Sequence, residues 1–184
     1  MNPSPNLFLI GATGAGKSTL GAWLAPRLQL ALVDLDRLIE ARAGRPVHAI
    51  FDGEGEAGFR AREAQALAEY CTGSGLLLIG GAGIVTAAGN RERLRRHGFV
   101  LRLDIDAQTL ARRLQGDASR PLLAGGDMLR RLRRLDAERE ALYAATCDAV
   151  LRARPDETPA ALGARALELL AHCWQRRTTA GAAP

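Results

Sequence analysis

A three-layer α/β/α fold built on a five-stranded parallel sheet is what this sequence predicts, and three observations carry that prediction. Short apolar runs at 7–10 and 76–79, and one at 99–103 interrupted only by Arg102, lack the regular polar alternation of a strand with one wet face, so they read as strands covered on both sides. Amphipathic helical stretches alternate with these runs, which is the pattern of parallel strands joined by helical crossovers. A glycine-rich turn, Gly11-Ala12-Thr13-Gly14-Ala15-Gly16-Lys17-Ser18, stands between the first run and the first helix.

The elements follow in order. Strand 7–10 enters the glycine turn, and a helix with apolar spacing begins at Ser18. Residues 31–33 form a short second strand, and 36–43 a helix closed by Gly44. A turn at 47–51 leads into a helix over 54–70. After strand 76–79 come a helix at 90–96, a fourth strand at 99–103 and a helix at 107–114. Residues 115–126, with adjacent glycines and a proline, read as a loop long enough to move. A helix over 127–143, a last strand at 149–151 and a closing helix at 159–174 complete the chain, and 175–184 reads as a disordered tail. No internal repeat is present. A chain of 184 residues makes one domain, 1–184, that buries about 70% of its unfolded surface.

Composition narrows the function. The net charge is +5, which invites a nucleic-acid reading, yet the arginines are spread over several helices. Aromatics make up only 4% of the chain, leaving few platforms for stacking bases. Small anionic ligands, and no nucleic acid, are expected. No apolar run approaches the ~18 residues of a membrane span, and Met1-Asn2-Pro3-Ser4-Pro5 lacks the charged and apolar regions of a signal peptide. A cytoplasmic protein with no membrane partner is the expectation. Cys71, Cys147 and Cys173 form no CxxC pair, so they are read as idle thiols. His48, His97 and His172 form no cluster.

Lys17 is the one lysine among 25 basic residues, and it fills the lysine position of G-x-x-x-x-G-K-[ST]. Backbone N–H groups wrapped around phosphates leave room for a compact ammonium on a flexible stem, not for a guanidinium fork. A strand, a glycine loop and a helix together point a helix N-terminus at an anion. In such sheets ligands sit beyond the carboxyl ends of the strands. The second strand delivers Asp34-Leu35-Asp36 there, a pair of carboxylates suited to holding Mg²⁺ and accepting a hydroxyl proton. Asp34 is equally a candidate helix N-cap. The third strand delivers Gly80-Gly81-Ala82-Gly83, which is either a close approach to a ligand or a tight turn. Asp104 and Asp106 repeat the carboxylate spacing and are read as loop and cap. Arg112, Arg130, Arg131, Arg133 and Arg134 are read as solvated helix faces.

Taken together with Ile50-Phe51, with Gly55-Glu56-x-x-Phe59-Arg60-x-x-Glu63, with Gly116-Asp117-x-x-Arg120-Pro121-Leu122-Leu123 and with Arg139-x-x-Leu142-Tyr143, these motifs resemble the shikimate kinase family over about residues 6–171. The resemblance implies a P-loop kinase fold, ATP and shikimate as small-molecule substrates, Mg²⁺ as cofactor and a monomer. It implies that Gly11, Gly14, Ala15, Gly16, Lys17, Ser18 and Thr19 bind ATP, that Ser18 and Asp34 serve the metal, and that Asp36 holds the reactive hydroxyl as general base. Arg60 and Arg139 match the family's carboxylate clamp, with Gly80, Gly81 and Ala82 offering backbone donors to shikimate. Arg113 resembles the arginine that stacks on adenine, and Arg120, in the lid at 115–126, the one that closes on the phosphates. Catalysis is thereby expected of Lys17, Asp36 and Arg120. Two positions depart from the pattern: Ala82 replaces a third glycine, a strain of about 1 kcal/mol if its φ is positive, and Ala141 replaces a proline. A different small-molecule kinase such as gluconate kinase, or a non-catalytic ligand-binding domain of the same type, are the alternatives. The first should lack the arginine pair and the second the catalytic groups.

Overall fold

The computed structural model describes residues 4–115 and 127–175. Five parallel strands lie in the order β2-β3-β1-β4-β5: β1 (Leu7–Gly11), β2 (Ala31–Asp34), β3 (Leu76–Ile79), β4 (Phe99–Asp104) and β5 (Ala149–Arg152). The helices are α1 (Lys17–Arg27), α2 (Leu35–Ala43), α3 (Val47–Tyr70), α4 (Ala88–His97), α5 (Ala107–Arg113), α6 (Met128–Ala144) and α7 (Pro159–Cys173). Successive side chains of a strand point to opposite faces, and the apolar runs feed two separate cores. Leu7, Leu9, Phe99, Leu101 and Leu103 join Leu20, Leu24, Leu110, Leu162 and Leu170 of α1, α5 and α7. Phe8, Ile10, Leu78 and Val100 join Leu35, Ile39, Phe59, Leu67 and Leu94 of α2, α3 and α4, with Tyr143 of α6. The unbroken apolarity of β1, buried at all five positions, follows from having a core on each side. Burying one such side chain stabilises the fold by roughly 1.5–3 kcal/mol.

The register sets the site. Leu9 pairs with Ile79 on one side and Leu101 on the other, and Asp34 pairs with Ile79. The carboxyl ends of β1, β2 and β3 are therefore level, and the loops leaving them share one edge. β1 is central, and the chain leaves it first toward β2 and later toward β4, which makes this edge a crevice between diverging crossovers.

The expected turn at 47–51 is helical instead. α3 runs from Val47 to Tyr70, interrupted only at Gly55, whose φ of 70° and ψ of −179° break it into two helices. Pro46 supplies a preset φ of −69° at the N-cap, and Glu40 Oε1 accepts from the Val47 N–H at 2.9 Å, so a start signal is provided from outside the segment. Other boundaries lie within two residues of expectation, α5 among them, which ends at Arg113. Among the described residues no helix is long and apolar enough to cross a membrane.

Candidate active site

The loop from β1 to α1 reaches its helix through Gly16, whose φ of 96° places it in the left-handed region; a side chain there would be strained. No side chain caps α1 at Gly16, so the first-turn N–H groups face the loop mouth as an anion site requires. Lys17 is 9% exposed and its Nζ donates to Gly11 O and Ala12 O, each at 2.9 Å. The ammonium is thus held over its own loop by neutral carbonyls, weaker partners than a phosphate oxygen. Ser18 and Thr19 follow in the first turn of α1. Arg113 Nη1 donates to Ala15 O at 3.3 Å, laying its guanidinium against the phosphate loop. Arg120 and most of the expected lid lie outside the described residues.

Asp34 caps α2 with one carboxylate oxygen and meets Ser18 with the other. Its Oδ1 caps α2 by accepting from the Asp36 N–H at 3.1 Å and the Arg37 N–H at 3.5 Å. Its Oδ2 accepts from Ser18 Oγ at 2.7 Å. A hydroxyl and a carboxylate meeting at the phosphate loop are hard oxygen donors of the kind Mg²⁺ takes. Among the described residues no cluster of three His, Cys, Asp or Glu gathers to hold a metal.

Beside this lies the glycine cluster after β3. A Cβ at Gly81 would stand 3.0 Å from Asp36 Oδ1 and collide with Glu63 Oε1, and one at Gly83 would collide with the Arg60 guanidinium. These two glycines are required for space, since neither has a positive φ. Ala82 does not have one either, so the strain considered for it is not incurred. The Gly80 N–H donates to Leu9 O at 3.0 Å and is committed to the sheet, so it is not among the donors expected to face shikimate. Arg139, 8% exposed, approaches Ala82 O with Nη1 at 3.4 Å, and the Tyr143 hydroxyl donates to the same oxygen at 2.6 Å. Burial pushes the Tyr143 phenol up to about 12, so it remains a donor across the working pH range.

Glu63 links the group. It is fully buried; Oε2 accepts from Arg60 Nη1 at 2.7 Å, the length of a charged hydrogen bond. Burial raises its carboxyl above the ordinary glutamate value, while Arg60 opposes the rise; Asp36 and Arg139 are close enough to act on it as well. Burial alone would lower the Arg60 guanidinium, and the charge and hydrogen bond of Glu63 more than offset it. Glu56 adds contacts to Arg60 at 3.2 and 3.3 Å. Asp36, Arg60 and Arg139 thus converge on one carboxylate, to which sequence reasoning gave no role. The i, i+3 spacing of Arg60 and Glu63 on a helix was the available signal. Asp106 caps α5 as expected, accepting from Thr109 N at 2.9 Å. Asp104 is not in a loop: it ends β4 and pairs with Arg102.

Comparisons with known proteins identify the family. The family model described as shikimate kinase matches residues 13–171. The chain is 42% identical over 177 residues to a shikimate kinase of Stenotrophomonas maltophilia, covering 96% of this chain and 98% of that protein. It is 48% identical over 141 residues to one of Symbiobacterium thermophilum, covering 76% and 81%. A solved shikimate kinase from Acinetobacter baumannii in complex with shikimate superposes with a TM-score of 0.86 at 34% identity, covering 93% of this chain and 95% of that one. The chain belongs to the shikimate kinase family.

Proposed function

We propose that the chain transfers the γ-phosphoryl group of ATP to the 3-hydroxyl of shikimate, giving shikimate 3-phosphate and ADP in aromatic amino acid biosynthesis. The observation that carries this reading is the meeting of Asp36, Arg60, Glu63 and Arg139 around the glycine cluster, on the same sheet edge as the phosphate loop. Shikimate is a small carboxylate with three hydroxyls. Two guanidinium forks complement its carboxylate bidentately, and a carboxylate on the first turn of α2 complements its reactive hydroxyl.

In this mechanism Arg60 and Arg139 fix the carboxylate, and Glu63 fixes Arg60. Asp36 accepts the 3-hydroxyl proton as the new O–P bond forms and the bond from the γ-phosphorus to ADP breaks. Lys17 leaves the carbonyls of Gly11 and Ala12 for the γ-phosphate, where it offsets the charge that spreads over the equatorial oxygens. Ser18 and Asp34 would hold Mg²⁺ together with the nucleotide, and the ion would supply positive charge against the phosphates. The test is a coupled ADP-release assay over shikimate, quinate, gluconate and nucleoside monophosphates. Turnover confined to shikimate, or highest there by at least tenfold in kcat/KM, is expected; turnover on another acceptor alone overturns the reading.

A further inference from the structure

β4 lies between β1 and β5 with both faces covered, so its positions should be apolar. Arg102 breaks that rule. Alternation puts its side chain on the face of Phe8, Ile10 and Val100, and it is only 5% exposed. An unpaired guanidinium there would be prohibitively costly, and apart from Asp104 at the end of its own strand its partners lie on α6. Nη1 and Nη2 donate to Glu140 Oε1 and Oε2 at 2.8 and 2.6 Å, a two-bond fork on α6. Nη2 also donates to Asp104 Oδ1 at 3.1 Å and lies 3.8 Å from Asp136, while the guanidinium carbon sits 4.9 Å from the Tyr143 ring centroid. The hydrogen bond from Arg102 holds the Glu140 carboxyl below its ordinary value.

Asp136, Glu140 and Tyr143 recur at i, i+4 and i+7, a single stripe of α6 facing Arg102. Arg139 flanks that stripe. α6 has 17 residues yet buries only Leu132, Arg139 and Tyr143, so its rotation and height over the sheet are weakly fixed by apolar packing. The Arg102–Glu140 fork supplies what packing does not, one residue from Arg139. The Tyr143 ring carries the same constraint to Ala82 O, the oxygen that Arg139 approaches.

We infer that Arg102 is a positioning residue for shikimate: through Glu140 and Tyr143 it locks α6 so that Arg139 presents its guanidinium to the substrate carboxylate. This inference rests on the proposed shikimate kinase activity. The replacement Arg102→Met keeps an unbranched apolar stem in the core, and the carboxylates it leaves are hydrated, with Glu140 and Asp136 side chains 56% and 45% exposed. Removing one partner of an ion pair is strongly destabilising where the other charge stays buried; these carboxylates reach water, so the variant should fold.

The test is steady-state kinetics and thermal melting of the full chain as wild type, Arg102→Met, Arg102→Lys, Glu140→Gln and the double variant Arg102→Met/Glu140→Gln. The KM for shikimate should rise roughly three- to thirtyfold in Arg102→Met, the span of coupling usual within one ion-pair network. The KM for ATP and kcat should stay within about twofold, as expected for a loss confined to substrate binding. Arg102→Lys, with charge but no fork, should fall between wild type and Arg102→Met, and the double variant should be no worse than the single one. An unchanged KM for shikimate in Arg102→Met overturns the inference, as does a rise in both KM values together with a fall in melting temperature. A wild-type protein inactive on shikimate overturns the functional reading and this inference with it, whereas an active wild type with an indifferent Arg102→Met overturns this inference alone.

Discussion

Gly83 gives the sharpest test of the carboxylate clamp. In Gly83→Ala the new Cβ would fall within the Arg60 guanidinium, with Nη1 only 2.6 Å away and Cζ and Nη2 closer. Carbon and nitrogen atoms rest at roughly 3.5–4.0 Å, so the guanidinium must retreat by about 1 Å or swing away. Glu63 is fully buried and cannot follow, so the 2.7 Å bond from Arg60 Nη1 opens in either case. Hydrogen bonds to charged groups contribute about 1.5–3 kcal/mol each. Losing one such contact to the shikimate carboxylate corresponds to about a ten- to hundredfold rise in KM. Backbone strain adds nothing, because Gly83 does not have a positive φ. The measurement is a coupled ADP-release assay with shikimate and ATP varied in turn, beside thermal melting. The KM for shikimate should rise by that factor, with the KM for ATP within about twofold. A Gly83→Ala enzyme with wild-type KM for shikimate would show that Arg60 does not serve the carboxylate from this place.

Lys17→Met should lower kcat by about 10² to 10³, as loss of one positioned charge does, with little change in melting temperature, since the loop carbonyls that Nζ bonds are neutral; activity above half of wild type would refute the phosphate-loop role. Asp36→Asn should lower kcat by about 10² to 10⁴ and change the KM for shikimate less, because an amide still bonds the hydroxyl but cannot take its proton; a normal kcat would move the base elsewhere. Glu63 binds its proton more tightly than an exposed glutamate, so acid reaches it at a higher pH and loosens Arg60. Between neutral pH and about 5, just above the ordinary glutamate range, the KM for shikimate should climb as pH falls, while Glu63→Gln should show a high and flat KM; parallel profiles would exclude Glu63. The same raised value gives a stability contribution that is complete below the unfolded-state value and is lost as pH rises through the folded one, so Glu63→Gln should flatten the melting temperature over that interval.

Much of this architecture is legible in the sequence because its signals are local. The apolar runs of β1, β3 and β4 and the residues of the phosphate loop are each read within about ten residues. Asp34 and Asp36 could be placed at the sheet edge from strand and helix order alone. The errors and omissions arise where distant residues decide. Val47 begins a helix because Glu40 and Pro46 prepare its first turn. Gly80 is lost as a donor because Leu9, far away in sequence, takes its N–H. Gly83 matters through Arg60, and Arg102 through Glu140, pairings that exist only once α3 and α6 have docked. Ala82 illustrates the converse: the motif made it look strained, whereas its actual φ is one that any residue adopts.

Where the fold has buried charge is informative in itself. The charged residues buried among those described are Lys17, Glu63, Arg102 and Arg139. Two of them, Lys17 and Arg139, stand at the sheet edge expected to meet ATP and shikimate. Glu63 stands immediately behind Arg60, and Arg102 behind the α6 turn that carries Arg139. Desolvating an ion costs several kcal/mol even after relaxation, and an apolar replacement of a buried pair is often as stable or more so. Stability alone therefore gives no reason to bury Glu63 at 0% exposure or Arg102 at 5%. A misplacement of about 1 Å at a substrate-orienting group can cost about 10² in rate, and fixed, bidentate charge pairs resist such displacement better than apolar contacts, which slide. The proposed clamp is thus backed by charge on both sides, Arg60 directly by the buried Glu63 and Arg139 indirectly by the buried Arg102 that holds the neighbouring Glu140 of α6.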